Sequence, residues 1–246
     1  MSPATVNRKR QRQWPVEAYR KGFTPKNSYL KGTKSGRTDR RPPLAYINYV
    51  WTQDGNGVIF NSGGAVYLMT GFPRGSSEDQ RHTGETLTYK IDIHLNISIL
   101  DNYMTYVNRA RNVVWLVYDV HPQGTLPKMQ DIFNVIPGCT NKPEVWKVNR
   151  DVKSRFIVKR RWVFITETNG VSALKANEPC NPCASQVYFN KFVKRLGVRT
   201  EWKNTATGDI GDISKGALYL CIAPGNNMSF AARGGITVYF KSVGNQ

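Results

Sequence analysis

The chain has 246 residues, 40% of them hydrophobic, enough to bury a sizeable core and too many for global disorder. Its 35 Lys and Arg against 17 Asp and Glu give a formal charge of +18. Self-repulsion of that size costs stability unless an anionic partner offsets it, and an aromatic content of 11% favours nucleic acid, whose bases stack on rings, over a membrane or an acidic protein.

Residues 1–43 are predicted to form a flexible basic arm. Arg8, Lys9, Arg10, Arg12, Arg20, Lys21, Arg40 and Arg41 are among its twelve cations, set against Glu17 and Asp39. Gly, Ser, Thr and Pro separate the charges without apolar periodicity, so the segment buries too little surface to offset its ordering entropy. Trp14, Tyr19, Phe23 and Tyr29 interleave the cations, as expected where bases stack between phosphate contacts. Arg8, Lys9, Arg10, Arg40 and Arg41 also suit recognition by the nuclear import machinery. The start is polar and basic with no apolar secretory core, and no apolar run approaches the ~20 residues of a membrane span, so a cytosolic or nuclear protein is expected.

Residues 44–246 are predicted to be a β domain. The clearest strand is Thr86–Leu100, with Leu87, Tyr89, Ile91, Ile93, Leu95, Ile97 and Ile99 on one face and Lys90, Asp92, His94 and Asn96 on the other. Further strands are expected at Leu44–Trp51, Ala65–Met69, Val113–Val120, Val145–Val148, Arg155–Glu167, Gln186–Phe192, Ala217–Ala223 and Ile236–Lys241, with a helical turn near Pro127–Phe133. Turn signals separate them, including Asp54-Gly55-Asn56-Gly57, Ser62-Gly63-Gly64, Asn169-Gly170 and Gly234-Gly235, the last read as a hairpin turn between two strands. Eight or nine strands with long connections fit an all-β fold, an eight-stranded antiparallel jelly-roll sandwich.

Two clusters stand out against that framework. Lys159, Arg160, Arg161 and Trp162 interrupt an otherwise apolar strand, FIVKRRWVFI. Alternation puts Arg160 on one face with Phe156, Val158, Trp162 and Phe164, and Lys159 and Arg161 on the other, so both faces should meet something that accepts positive charge. The run from Lys191 to Lys203 adds Lys194, Arg195, Arg199 and Lys203 beside Phe192 and Trp202. With the arm, these are read as one extended basic face for single-stranded nucleic acid, the bland alternative being salt-bridged surface.

Nothing points to catalysis. Cys180 and Cys183 form a lone CxxC, and Cys139, Cys221 or His121 could complete a zinc site only by long-range folding, so free thiols without metal or cofactor are expected. His82, His94 and His121 are scattered, with Asp92 placed to partner His94. Asn96-Ile97-Ser98 and Asn227-Met228-Ser229 match the glycosylation pattern by chance. On composition alone, a host-type single-stranded nucleic-acid-binding module is the rival reading, and a zinc-dependent nucleic-acid enzyme a weaker one.

The segments HTGETLTYK (82–90), VWLVYD (114–119), VKRRW (158–162), LGVRTEWKN (196–204), GALYL (216–220), IAPGN (222–226) and the ending YFKSVGNQ (239–246) resemble geminivirus coat proteins, most of all the mastrevirus branch. The likeness runs in order from about residue 58; the preceding residues share basic character. It implies a jelly-roll subunit that self-associates through pentameric capsomers into a twinned icosahedral shell around circular single-stranded DNA. It further implies delivery of the genome to the host nucleus through import factors, a part in viral movement and recognition by an insect-vector receptor, with no membrane partner.

Overall fold

A computed structural model describes residues 44–52, 57–170 and 182–243. Residues 1–43, the Asp54-Gly55-Asn56 part of one expected turn, and Cys180 lie outside the described residues. Among the described residues are thirteen strands: β1 (Ala45–Trp51), β2 (Val58–Phe60), β3 (Ala65–Leu68), β4 (Glu85–Ile99), β5 (Val107–Asp119), β6 (Phe133–Asn134), β7 (Lys147–Val148), β8 (Phe156–Asn169), β9 (Gln186–Val193), β10 (Val198–Trp202), β11 (Ile213–Lys215), β12 (Ala217–Ala223) and β13 (Phe230–Val243).

The larger sheet runs β1-β13-β4-β10-β11, with β2 continuing the β1 edge along β13 and β9 continuing the β10 edge along β4. The smaller runs β3-β12-β5-β8. Both are antiparallel. Taking β1 with β2, and β9 with β10, as single rows and setting aside the three-residue β11 beside β10 leaves eight rows in two four-row sheets, the last strand lying between the first and the third rows of its sheet. That is the expected jelly roll.

Packing explains which runs alternate. Ala217–Ala223 of β12 is buried at every position, because the other sheet covers one face and the β5–β8 connection covers the opposite one. Phe133 and Trp146 of that connection sit 4.6 and 6.2 Å from the ring of Trp115. Between the sheets, Phe164 of β8 meets Phe189 of β9 and Phe230 of β13, and Phe72 stacks on Phe240 at 3.9 Å. The outward face of the larger sheet carries no such cover among the described residues: Val50 is 67% and Tyr188 74% exposed.

Five expectations are corrected. Alternation in β4 holds from Ile91 to Ile99, but opposite the Tyr239/Phe240 step Tyr89 is an extra residue. That bulge reverses the faces, so Thr86 and Thr88 turn into the core and Leu87 turns outward. Gly234-Gly235 is not a turn; it lies within β13, paired to Val50 and Trp51 on one side and His94 and Leu95 on the other. Of Val145–Val148 only Lys147–Val148 is strand, since Pro143 starts a 3₁₀ turn through Val145. The strand at Val113 begins six residues earlier, at Val107, where polar Asn108, Arg109 and Arg111 concealed it. Strand β10, with two charges among five residues, had no expected counterpart. The helical turn falls at Met129–Ile132, inside its predicted window.

Candidate nucleic-acid interface

The basic triplet of β8 sits on an edge strand, since β8 ends the smaller sheet and pairs only with β5 along its length. Its register shifts between Leu116 and Val117, which leaves Lys159 as a bulged residue between Val158 and Arg160. The simple alternation of the three cations therefore fails. Past the bulge, Arg160 follows the inward parity of Trp162 and Phe164, yet it is exposed and donates to the Lys159 carbonyl at 2.8 Å. Arg161 turns the other way and donates to the Glu144 carbonyl at 2.7 Å. Lys159 lies 5.1 Å over the Tyr118 ring. A bulge and unpaired cations on an edge are themselves devices against strand addition, so the edge explains the triplet without a partner on both faces.

Trp162 is not free to stack on a base. Its half-buried ring packs edge-on against Phe189 at 5.8 Å and belongs to the core. Sequence alone could not separate this tryptophan from an exposed one, because its neighbours on both sides are charged or apolar by turns.

The second cluster divides between β9, the following turn and β10, on the row that faces β8 across the sandwich. Lys194 lies 5.1 Å over the Phe192 ring, and Arg195 occupies a left-handed turn position with φ 57°. Arg199 is committed elsewhere: it forms a two-pronged ion pair with Glu85 of β4, at 2.5 and 2.7 Å. Lys203 donates to the Gly211 carbonyl at 2.7 Å. Among the described residues of the two clusters, Arg199 alone has a carboxylate partner. The clusters meet at one flank, where Tyr118 under Lys159 donates to the Arg199 carbonyl at 3.4 Å and Trp162 touches Phe189. The arm cations Arg8, Lys9, Arg10, Arg12, Arg20, Lys21, Arg40 and Arg41 lie outside the described residues.

Chemistry of other kinds finds little support. Cys221 is fully buried in β12, and burial pushes its thiol well above the ordinary range, which removes it as an accessible ligand. Cys139 and Cys183 are half-buried thiols. Asp92 and His94 do pair, at 2.9 Å, on the outward face of β4. Beyond the basic runs, isolated cations on that same face each sit on a ring: Lys90 over Tyr239 at 6.0 Å and Lys241 over Tyr89 at 5.8 Å. Scanning for runs of charge misses these, because each ring belongs to the neighbouring strand, Tyr239 of β13 for Lys90 and Tyr89 of β4 for Lys241.

A family model for the geminivirus coat protein/nuclear export factor BR1 family matches residues 4–246. The chain belongs to that family. The match includes nearly all of the basic N-terminal segment, where residue-by-residue likeness was not legible. The chain is 50% identical over 209 residues to the capsid protein of Chloris striate mosaic virus, covering 84% of this chain and 86% of that one. It is 41% identical over 249 residues to the capsid protein of Maize streak virus genotype D (isolate Raw), covering 100% of both. These are mastrevirus relatives, and their named role is structural rather than catalytic. Membership in the geminivirus coat protein family accords with the all-β, antiparallel sandwich.

Proposed function

We propose that the chain is a capsid subunit of a mastrevirus-like virion, assembling through pentameric capsomers into a twinned icosahedral shell around circular single-stranded DNA. The observation that carries this reading is the end-to-end match to a capsid protein, 41% identical across the whole of both chains. In this reading residues 1–43 are an arm inside the shell and residues 44–246 the shell-forming domain. Arg8, Lys9, Arg10, Arg12, Arg20, Lys21, Arg40 and Arg41 neutralise phosphates electrostatically. Lys159, Arg160, Arg161, Lys194, Arg195 and Lys203 add a basic flank, to which Arg199 contributes less because Glu85 already holds it. Arg8, Lys9, Arg10, Arg40 and Arg41 also serve import into the host nucleus, and outward loops meet the insect-vector receptor and support movement.

Deleting residues 1–41 tests the division of labour. The expected result is loss of tight single-stranded DNA binding with the β-sheet circular dichroism retained. Each phosphate released by the deletion should remove about 0.7 from the slope of log Kobs against log salt. Unchanged affinity with an unchanged slope would overturn the assignment of the arm.

A further inference from the structure

The outward face of the larger sheet is uncovered among the described residues and has an unusual composition. Along β9, Tyr188 and Phe192 project from the same face, 74% and 50% exposed. Four residues of strand separate them by about 13 Å. Beside them on β4 are Asn96 and Asp92, and on β13 beyond are Arg233 and Thr237, so that Arg233, Asn96 and Tyr188 form one cross-strand row. At the far side, Tyr46 of β1 lies 6.3 Å from Tyr239, over which Lys90 sits. Aromatic rings and cations therefore share one face of the larger sheet.

The charge on this face is one-sided. Asp92 is engaged by His94, and Glu85 by Arg199. Lys90, Lys194, Lys241 and Arg233 have no carboxylate partner among the described residues; the three lysines rest on rings instead. Tyr188 and Phe192 thus present two large rings on the same face as these cations. Surplus positive charge disfavours an identical basic face of a second copy and favours a polyanion with flat, stackable groups. A double helix hides its base faces, whereas a single strand offers them.

We propose that this face is a base-stacking platform for single-stranded DNA. Tyr188 and Phe192 stack on bases, and Lys90, Lys194 and Arg233 hold the flanking phosphates. The inference rests on the genome-packaging reading above and adds to it a salt-insensitive component of binding distinct from the electrostatics of the arm.

The test is an anisotropy titration of full-length protein with a labelled oligothymidylate, repeated over a range of salt. Tyr188→Ala with Phe192→Ala should weaken binding at least about 10-fold at fixed salt, given the usual strength of a base–aromatic stack. The salt slope should stay unchanged, since no ionic contact is lost. Tyr188→Phe with Phe192→Tyr should bind like the parent, which separates stacking from misfolding. Lys90→Gln with Arg233→Gln should instead flatten the slope. Parent-like affinity in the double alanine variant overturns the platform while leaving packaging intact. So does a change in sedimentation without DNA combined with unchanged DNA affinity, which would assign the face to a second copy. Failure of the parent protein to bind at all would strike the packaging reading itself.

Discussion

Arg81 is fully buried, and its guanidinium donates to the carbonyls of Phe72, Thr83 and Thr205 at 3.1, 3.2 and 2.6 Å. It also lies 4.5 Å over the ring of Trp202. Burial holds its pKa below the ordinary value, and nearby Arg74 pushes the same way. The residue thus fastens the loop before β4 to the loop after β10. Removing it leaves charged hydrogen bonds unmade and carbonyls buried, so Arg81→Ala should cost about 3 kcal/mol or more, read from urea unfolding of the full chain. At Gly234, φ is +140° and a Cβ would lie 2.1 Å from the His94 carbonyl oxygen. Backbone cannot swing aside as a side chain would, so Gly234→Ala should break the β13–β4 pairing and fail to give soluble folded protein. The Tyr49 hydroxyl donates to the Met69 carbonyl and accepts from the Gly71 amide, and burial pushes its pKa from 10.0 to about 12. Burial raises that of Tyr219 as well, with Asp119 beside it acting in the same direction. Both phenols are neutral in the fold. Their stabilisation is complete below the unfolded value near 10 and lost as pH rises through the folded one. Tm should accordingly be level below pH 10 with respect to these groups and fall towards pH 12; a level Tm across that interval would contradict the burial of Tyr49.

Strand β8 shows how a residue pattern acquires meaning only from the position of its element. Lys159, Arg160 and Arg161 read from sequence as a site because three charges inside an apolar run have no place in a central strand. On an edge, with Lys159 bulged out, they keep other chains from pairing with a 14-residue strand whose Ile157 and Val163 are each 44% exposed. Replacing all three by Thr should make the protein aggregate in light-scattering measurements at low salt. A monodisperse variant that merely lost DNA affinity would instead make them ligands only. Elements were legible wherever the hydrophobic period matched one environment throughout: the continuous run Ala217–Ala223, buried on both faces, and the alternating Ile91–Ile99, buried on one. They were illegible where one residue changed the period. The bulges at Tyr89 and Lys159 leave no local mark, because the extra residue is accommodated by the partner strand. Gly234-Gly235 misled for a related reason: glycine serves turns and close backbone approach equally, and only the proximity of His94 distinguishes them. Of the candidate site, the cations were visible one by one. The partnering of Arg199 by Glu85, 114 positions away, was not.

At the scale of the whole molecule, β12 at the centre of the smaller sheet is buried throughout, the larger sheet leaves its outward face uncovered among the described residues, and the chain as a whole carries +18. In the proposed capsid reading, that surface is available to neighbouring subunits and the charge to a genome. The most direct test of this account is electron microscopy of the purified full-length protein mixed with circular single-stranded DNA at physiological ionic strength. Closed, paired icosahedral particles containing DNA are the predicted result. Small open complexes, or protein that ignores the DNA and remains dispersed, would contradict it.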